Sequence, residues 1–375
     1  MENKRPPLRR SSCIYHLDDV DIAVYFEIME EWYPSYKSLF TKAFKTFKTV
    51  ERELEGDTGP ETAGKPQSRE DYIQMRTANL PEGWWFTESK EHLLISHADK
   101  KYTEKCGKFA DAIRKEIAES FKNKNTKKDK SQKEDFLVPI IRVCQSVGEY
   151  NAFVDTSTGI QAWNPETKEV VVWDGTREGY EIEWTYSNIG AGIFFQFFNE
   201  EFQRALPDPW YTSGMSYYFS QFKLKGSSCK YIHDASVAEQ LRDAERKGEC
   251  KPIKRLLTPG SNPIQSIGDY WKVGNLICFL NSREGNKKPW KGVLDQYLEN
   301  FRVAYDDLMA EMKEDLAEEE KPQSEEEAKK KGDSYIERFK DIGKKVRERT
   351  FQETFASWTD SDWDKLENAF QKWAL

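Results

Sequence analysis

The chain has little of what most catalytic and secreted proteins advertise. Its 375 residues hold only four histidines (His16, His92, His97, His233) and no two stand at HxxxH, HxH or HxxH spacing, so no local stretch offers a zinc-ligand pair. Its six cysteines (Cys13, Cys106, Cys144, Cys229, Cys250, Cys278) include no CxxC pair, and Cys144 and Cys278 lie inside apolar runs. That distribution predicts buried free thiols in a reducing compartment and excludes a small disulfide framework. No Gly-rich phosphate loop of Walker or dinucleotide type is present, nor is Gly-x-Ser-x-Gly. No run approaches the roughly twenty apolar residues that a membrane helix needs. The basic N-terminus MENKRPPLRRSSC runs into HLDDVD instead of an apolar segment, which excludes a signal peptide by pattern and places the protein in the cytoplasm as an expectation. A net charge of −8 argues against a general nucleic-acid binder, which needs a basic face.

Aromatic side chains, in contrast, are plentiful: 12 Trp, 17 Tyr and 22 Phe, alongside a charged fraction of 33%. Such a chain can bury a large core and still carry long solvated helices. Residues 19–54 carry Tyr25, Ile28, Met29, Trp32, Leu39, Phe40, Phe44 and Phe47 at helical spacing and read as helix broken near Pro34. Residues 56–69 (GDTGPETAGKPQSR) read as a linker. Short strands are expected at 84–86 and 93–96, a helix over 100–121, a buried strand over 136–144, and a hairpin turning at Asn164-Pro165-Glu166-Thr167. The lysine-rich stretch 122–133 has no interleaved aromatics and reads as a solvated loop. Residues 180–205 form a helix apolar nearly all round, the mark of a buried one. Further helices are expected over 210–222, 236–247, 264–282, 290–317, 333–349 and 360–373, with the acidic run 314–333 as an exposed connection.

The order strand, strand, hairpin, buried helix and then PWYTSGMSYYF resembles the gluzincin branch of the peptidase MA clan of zinc metallopeptidases. In that family the buried helix bears His-Glu-x-x-His, and a later helix supplies a glutamate within Trp-x-x-Glu-Gly-x-x-x-Tyr. Two histidines at i and i+4 share a helix face and hold zinc, while the glutamate activates its water. The resemblance places Ala191 and Phe195 at the two histidines, Gly192 at the base and Ser213 at the third ligand. Trp210, Gly214 and Tyr218 match the downstream pattern, and Gln196 and Phe197 match the Gln and Tyr that often come after the motif in one bacterial subgroup. GDYWKVGNLICFL and DWDKLENAFQKWAL resemble later helices of the same subgroup, so the likeness spans roughly Trp84 to Leu375. All four working positions lack a competent donor, so neither metal nor cofactor is expected.

The fold this implies is α+β: a small mixed sheet on a helical lobe with a gluzincin, thermolysin-like core and extra N-terminal helices. Its expected divisions are an N-terminal helical extension and linker (1–69), a β-rich sub-domain (70–177), a helical lobe (178–313), an acidic linker (314–333) and C-terminal helices (334–375). The function implied is that of a pseudoenzyme binding a protein or peptide, with Gln196, Trp210, Tyr217 and Tyr218 lining a vestigial cleft. Two alternatives stand beside it: an assembly subunit, and a hydrolase using Ser213 with His233. Asp208, Glu200 and Glu201 read as solvated helix ends, and Cys229 with His233 as an incidental pair. Gly190 and Gly192, costly in mid-helix at about 1 kcal/mol each, read as marks of close packing ahead of a cleft.

Overall fold

The structure, a computed structural model, describes residues 8–16, 21–29, 37–38, 66, 68–121, 138–154, 162–164, 167–202, 206–233, 235–260, 264–317 and 325–374. The chain divides into two compact units, Met1–Lys65 and Pro66–Leu375.

In the first unit, β1 (Leu8–His16) and β2 (Asp21–Met29) pair antiparallel, with Leu8 opposite Met29 and His16 opposite Asp21. This corrects the helix expected from residue 19 and the helical character given to the N-terminal extension. Ile22, Val24, Tyr25, Phe26 and Ile28 are β-branched or aromatic, and a strand partner decides what apolar spacing over so short a run leaves open. The helical spacing from Trp32 to Phe47 falls almost wholly outside the described residues, as do the lysine-rich stretch 122–133 and Pro165 and Glu166 of the hairpin turn.

The second unit is built on a five-stranded mixed sheet in the order β3 (Trp85–Glu88), β4 (Leu93–Ser96), β5 (Ile140–Cys144), β7 (Glu169–Trp173), β6 (Trp163–Asn164). Strands β4, β5 and β7 are parallel, and the two edge strands run against their neighbours. The central strands are mostly apolar because both faces are covered, with Arg142 of β5 and Glu169 of β7 as charged exceptions that pair with each other. On one face Leu94, Ile141, Val143, Val170 and Val172 join the main core with α2 (Lys100–Ser120) and α4 (Ile182–Phe202). On the other, Leu93, Ile95 and Ile140 pack with Tyr72 and Ile73 of α1 (Arg69–Thr77), while Cys144, Val171 and Trp173 pack with Tyr150 and Phe153 of α3 (Val147–Phe153). Neither short helix is among the elements expected from the sequence, which gave 70–177 a β-rich character. Each starts at a serine whose hydroxyl accepts from a backbone N–H three residues on, Ser68 from Asp71 and Ser146 from Glu149.

After α4 come α5 (Pro209–Ser220), a hairpin of β8 (Phe222–Lys225) and β9 (Ser228–Tyr231), α6 (Ala235–Arg246), α7 (Ile253–Leu257) and α8 (Ile267–Asn281). Beyond them lie α9 (Val293–Ala317), α10 (Glu325–Phe355) and α11 (Asp360–Ala374). The acidic connection is shorter than its composition suggested, since α9 runs to Ala317 and α10 begins at Glu325. Glu, Ala and Lys are strong helix formers, so EEEAKKK extends a helix although it looks like a solvated spacer. One hydrophobic cluster reaches from Leu94 to Phe370, so sheet and helices share a core. Cys106, Cys144, Cys229, Cys278 and the half-buried Cys250 are all free thiols, in line with expectation. No helix among the described residues is long and apolar enough to cross a membrane.

Candidate functional site

Helix α4 is apolar on three sides because it is clamped between the sheet and α5. A Cβ on Gly190 would stand 2.5 Å from the carbonyl oxygen of Phe219 on α5. A Cβ on Gly192 would stand 2.7 Å from Val170 Cγ1 and 3.0 Å from the carbonyl oxygen of Ala162, beside the hairpin. Both glycines are therefore explained by backbone approach, as their sequence positions suggested. The same holds on α5, where a Cβ at Gly214 would lie 2.9 Å from the Val273 carbonyl of α8. Phe194 fills the α4–α5 contact, 5.8 Å from Phe219 and 5.6 Å from Phe198 between ring centroids.

The residues at the four degenerate positions separate by burial. Gly192 faces the sheet and is buried, whereas Ala191 and Phe195 are half-buried, as is Ser213 on α5. Ala191 and Phe195 lie on a half-exposed stripe of α4 that also carries Trp184 and Asn188, at i, i+4, i+7 and i+11. Trp184 stacks on Tyr180, whose side chain is 48% exposed, at 5.0 Å.

The side chains expected to line a cleft are mostly interior. Gln196 is 2% exposed and donates through Nε2 to the carbonyls of Ile140 and Lys168, both at 3.3 Å. Its Oε1 is buried with no hydrogen-bond partner among the described residues. It ties α4 to the start of β5 and to the hairpin turn, where Lys168 takes a positive φ of 58°. Trp210 is 1% exposed and packs on Tyr297 at 4.8 Å, and Tyr217 is buried against Gly274 and 6.1 Å from Tyr270. Tyr218 alone of the four is half-buried, stacked on Tyr231 at 5.1 Å, and burial pushes its phenol up to about 12. In this arrangement Gln196, Trp210 and Tyr217 pack the core and do not line a surface. Large aromatics with a polar tip fit both environments, so composition could not separate them.

Asp208, read as a solvated helix end, is 3% exposed. The Tyr297 hydroxyl donates to its Oδ2 at 2.9 Å while its own N–H donates to that hydroxyl at 3.2 Å, and Arg347 approaches to 3.9 Å. Burial raises its carboxyl to about 6, partly offset by the Tyr297 hydrogen bond. Glu200 behaves more nearly as read, pairing with Arg114 at 2.6 Å while one-third exposed. The Glu201 side chain lies outside the described residues.

The three histidines of the second unit each meet a different partner. His92 is fully buried and shares Nδ1 with Asp111 at 2.9 Å, and burial pushes its imidazole below the ordinary range. His97 faces Glu149. His233 is exposed, 3.1 Å from the Tyr231 hydroxyl and packed on Trp373, while Cys229 is buried with its thiol pushed up to about 12. Among the described residues no three His, Cys, Asp or Glu side chains converge as a metal-holding group. Comparison with protein-family models, with curated proteins and with solved structures finds no match for the chain.

Proposed function

We propose that this chain is a non-catalytic binding protein, a pseudoenzyme on a metallopeptidase-like core, whose partner is a peptide or protein segment. Support comes first from the element order: a mixed sheet ending in a hairpin, a buried helix, then a second helix bearing Trp210, Gly214 and Tyr218. The observation that carries the reading is the half-exposed stripe of α4. The two positions that would hold metal, Ala191 and Phe195, fall on the same solvent-reaching face, yet they present a methyl and a phenyl group. With Trp184 and Tyr180 that stripe offers aromatic and apolar contact area in place of metal donors, which suits side chains of a partner and not hydrolysis.

The test is to restore what the resemblance says was lost. The triple variant Ala191→His, Phe195→His, Ser213→Glu should take up about one zinc per chain in equilibrium dialysis, because the resemblance places these three positions around one metal. The unaltered protein should take up none. Stoichiometric zinc in the unaltered protein, or a folded triple variant that takes up none, would overturn the reading. For the binding half, a random peptide library panned against the protein should yield sequences whose capture is lost with Phe195→Glu. Enrichment indifferent to that substitution would remove the stripe from the function.

A further inference from the structure

An open aromatic face stands among unpaired carboxylates where the chain enters α4. The sequence there is Arg177-Glu178-Gly179-Tyr180-Glu181-Ile182-Glu183-Trp184. Gly179, at φ +86°, closes the turn between β7 and α4, and the Tyr180 N–H donates to the Gly175 carbonyl at 3.0 Å. The Tyr180 ring stacks on Trp184 at 5.0 Å and 23°, and Trp184 in turn meets the buried Trp173 edge-on at 4.4 Å. Because the indole covers one face of the phenol, the 48% of Tyr180 left exposed falls on the opposite face and the hydroxyl edge.

A single exposed tyrosine is ordinary on a protein surface, and its surroundings set this one apart. Glu178, Glu181 and Glu183 lie within three residues of it and are all exposed, and none of them forms an ion pair among the described residues. The one cation of the segment, Arg177, is turned to Asp174 at 3.5 Å. The start of α4 accounts for part of this charge, since Glu183 sits in its first turn. A helix N-terminus offers only about half a positive charge, so three carboxylates leave a surplus of about two and a half negative charges around the ring. The ring face, negative through its quadrupole, adds to the same potential.

We propose that Tyr180, with the carboxylates of Glu178, Glu181 and Glu183, binds a basic side chain of the partner segment, arginine foremost. The guanidinium lies flat on the open face of Tyr180 and its N–H groups reach the carboxylates. Arginine is preferred to lysine because its planar cation stacks and donates as a fork at once. The site names the partner of the α4 stripe as a positively charged segment, and it rests on that reading. The helix also fixes a spacing. Phe195 lies eleven residues beyond Trp184 on the same face, about 16 Å along the axis. An extended segment covers that distance in about five residues, so its basic residue should stand about five positions from the side chain that meets Phe195.

Labelled hexa-arginine titrated against the full chain at low salt tests the site by fluorescence anisotropy. A chain of net charge −8 attracts such a peptide whatever stands at Tyr180, so the decisive variants keep the charge constant. Tyr180→Leu should weaken binding about two- to fivefold, the size of an exposed cation–π contact, while Tyr180→Phe should leave it unchanged. Glu181→Gln combined with Glu183→Gln should weaken it about fivefold. In proton spectra the arginine δ-methylene signals should move upfield saturably with the unaltered chain and with Tyr180→Phe, but not with Tyr180→Leu. That ring-current shift is one that charge alone does not produce. Hexa-glutamate should not bind, and unchanged circular-dichroism midpoints verify that the variants fold. Equal affinity of Tyr180→Leu and the unaltered chain, or no upfield shift, would overturn the proposal. Library peptides captured through Phe195 but lacking a basic residue about five positions away would overturn it as well and leave the stripe in place. Capture indifferent to Phe195 would instead remove the stripe itself.

Discussion

At the scale of single residues the tightest constraints are on glycines and on two buried acid–base groups. Gly190→Ala puts a methyl group 2.5 Å from the Phe219 carbonyl, against backbone that has no flexible side chain to yield. It should destabilise the protein by about 1–3 kcal/mol despite the gain in helix propensity, read as a lower denaturant midpoint. The two buried groups act in opposite directions on acidification. His92 titrates below the ordinary 6.5 when folded, so the unfolded chain takes up the proton first, and stability should fall as pH drops below about 6.5. Asp208 titrates at about 6 when folded against an ordinary 3.8, so the folded chain takes up the proton first. Its ionisation therefore costs stability as pH rises from about 4 to about 6, by about 3 kcal/mol in all. Asp208→Asn should remove that rise in cost and leave the variant relatively more stable above pH 6 than below pH 4. A denaturation series across pH 4–7 in the two proteins checks the sign. An unchanged profile would mean that Asp208 is ionised at little cost.

At the scale of elements, what was legible in the sequence tracks the length of the signal. Helices α2, α4, α8 and α11 and strands β4, β5 and β7 fall where periodicity or apolar runs place them. Short α1, α3 and α7 and the β8–β9 hairpin were not legible, because a turn or two of helix depends on caps and neighbours more than on period. The β1–β2 hairpin was misread since its apolar spacing satisfies helix and strand alike. The interior charges were equally silent. Lys272 on α8 is 1% exposed and is held by Glu245 of α6 at 2.8 Å and by Glu367 of α11 at 2.6 Å. Lys272 and Glu367 stand 95 residues apart, and no local pattern could have joined them. Cutting Lys272 to alanine leaves two carboxylates facing each other without a counter-charge. The loss should be about 3–5 kcal/mol, seen as a fall in Tm, whereas Lys272→Met should cost less only if Glu367→Gln accompanies it. The candidate site divides the same way: the positions of Ala191 and Phe195 on one helix face were readable from their spacing. The partnership of His97 with Glu149, 52 residues on, was not.

At the scale of the whole molecule, the single core of Pro66–Leu375 predicts a single unfolding transition. A chain begun at Pro66 should unfold in one transition that circular dichroism and tryptophan fluorescence report at the same midpoint, and two separated midpoints would show that its core is divided. Glu367 has a wider consequence. Besides Lys272, its carboxylate accepts the Ile253 N–H at 2.6 Å, and Phe370 and Trp373 from the same helix cover Phe279. Seen from the ribosome, α8 is made well before the helix that seals it. Through that interval the nascent chain carries a finished sheet beside an unroofed aromatic surface, so the order of synthesis, and not only the order of packing, decides when this protein can first be left alone.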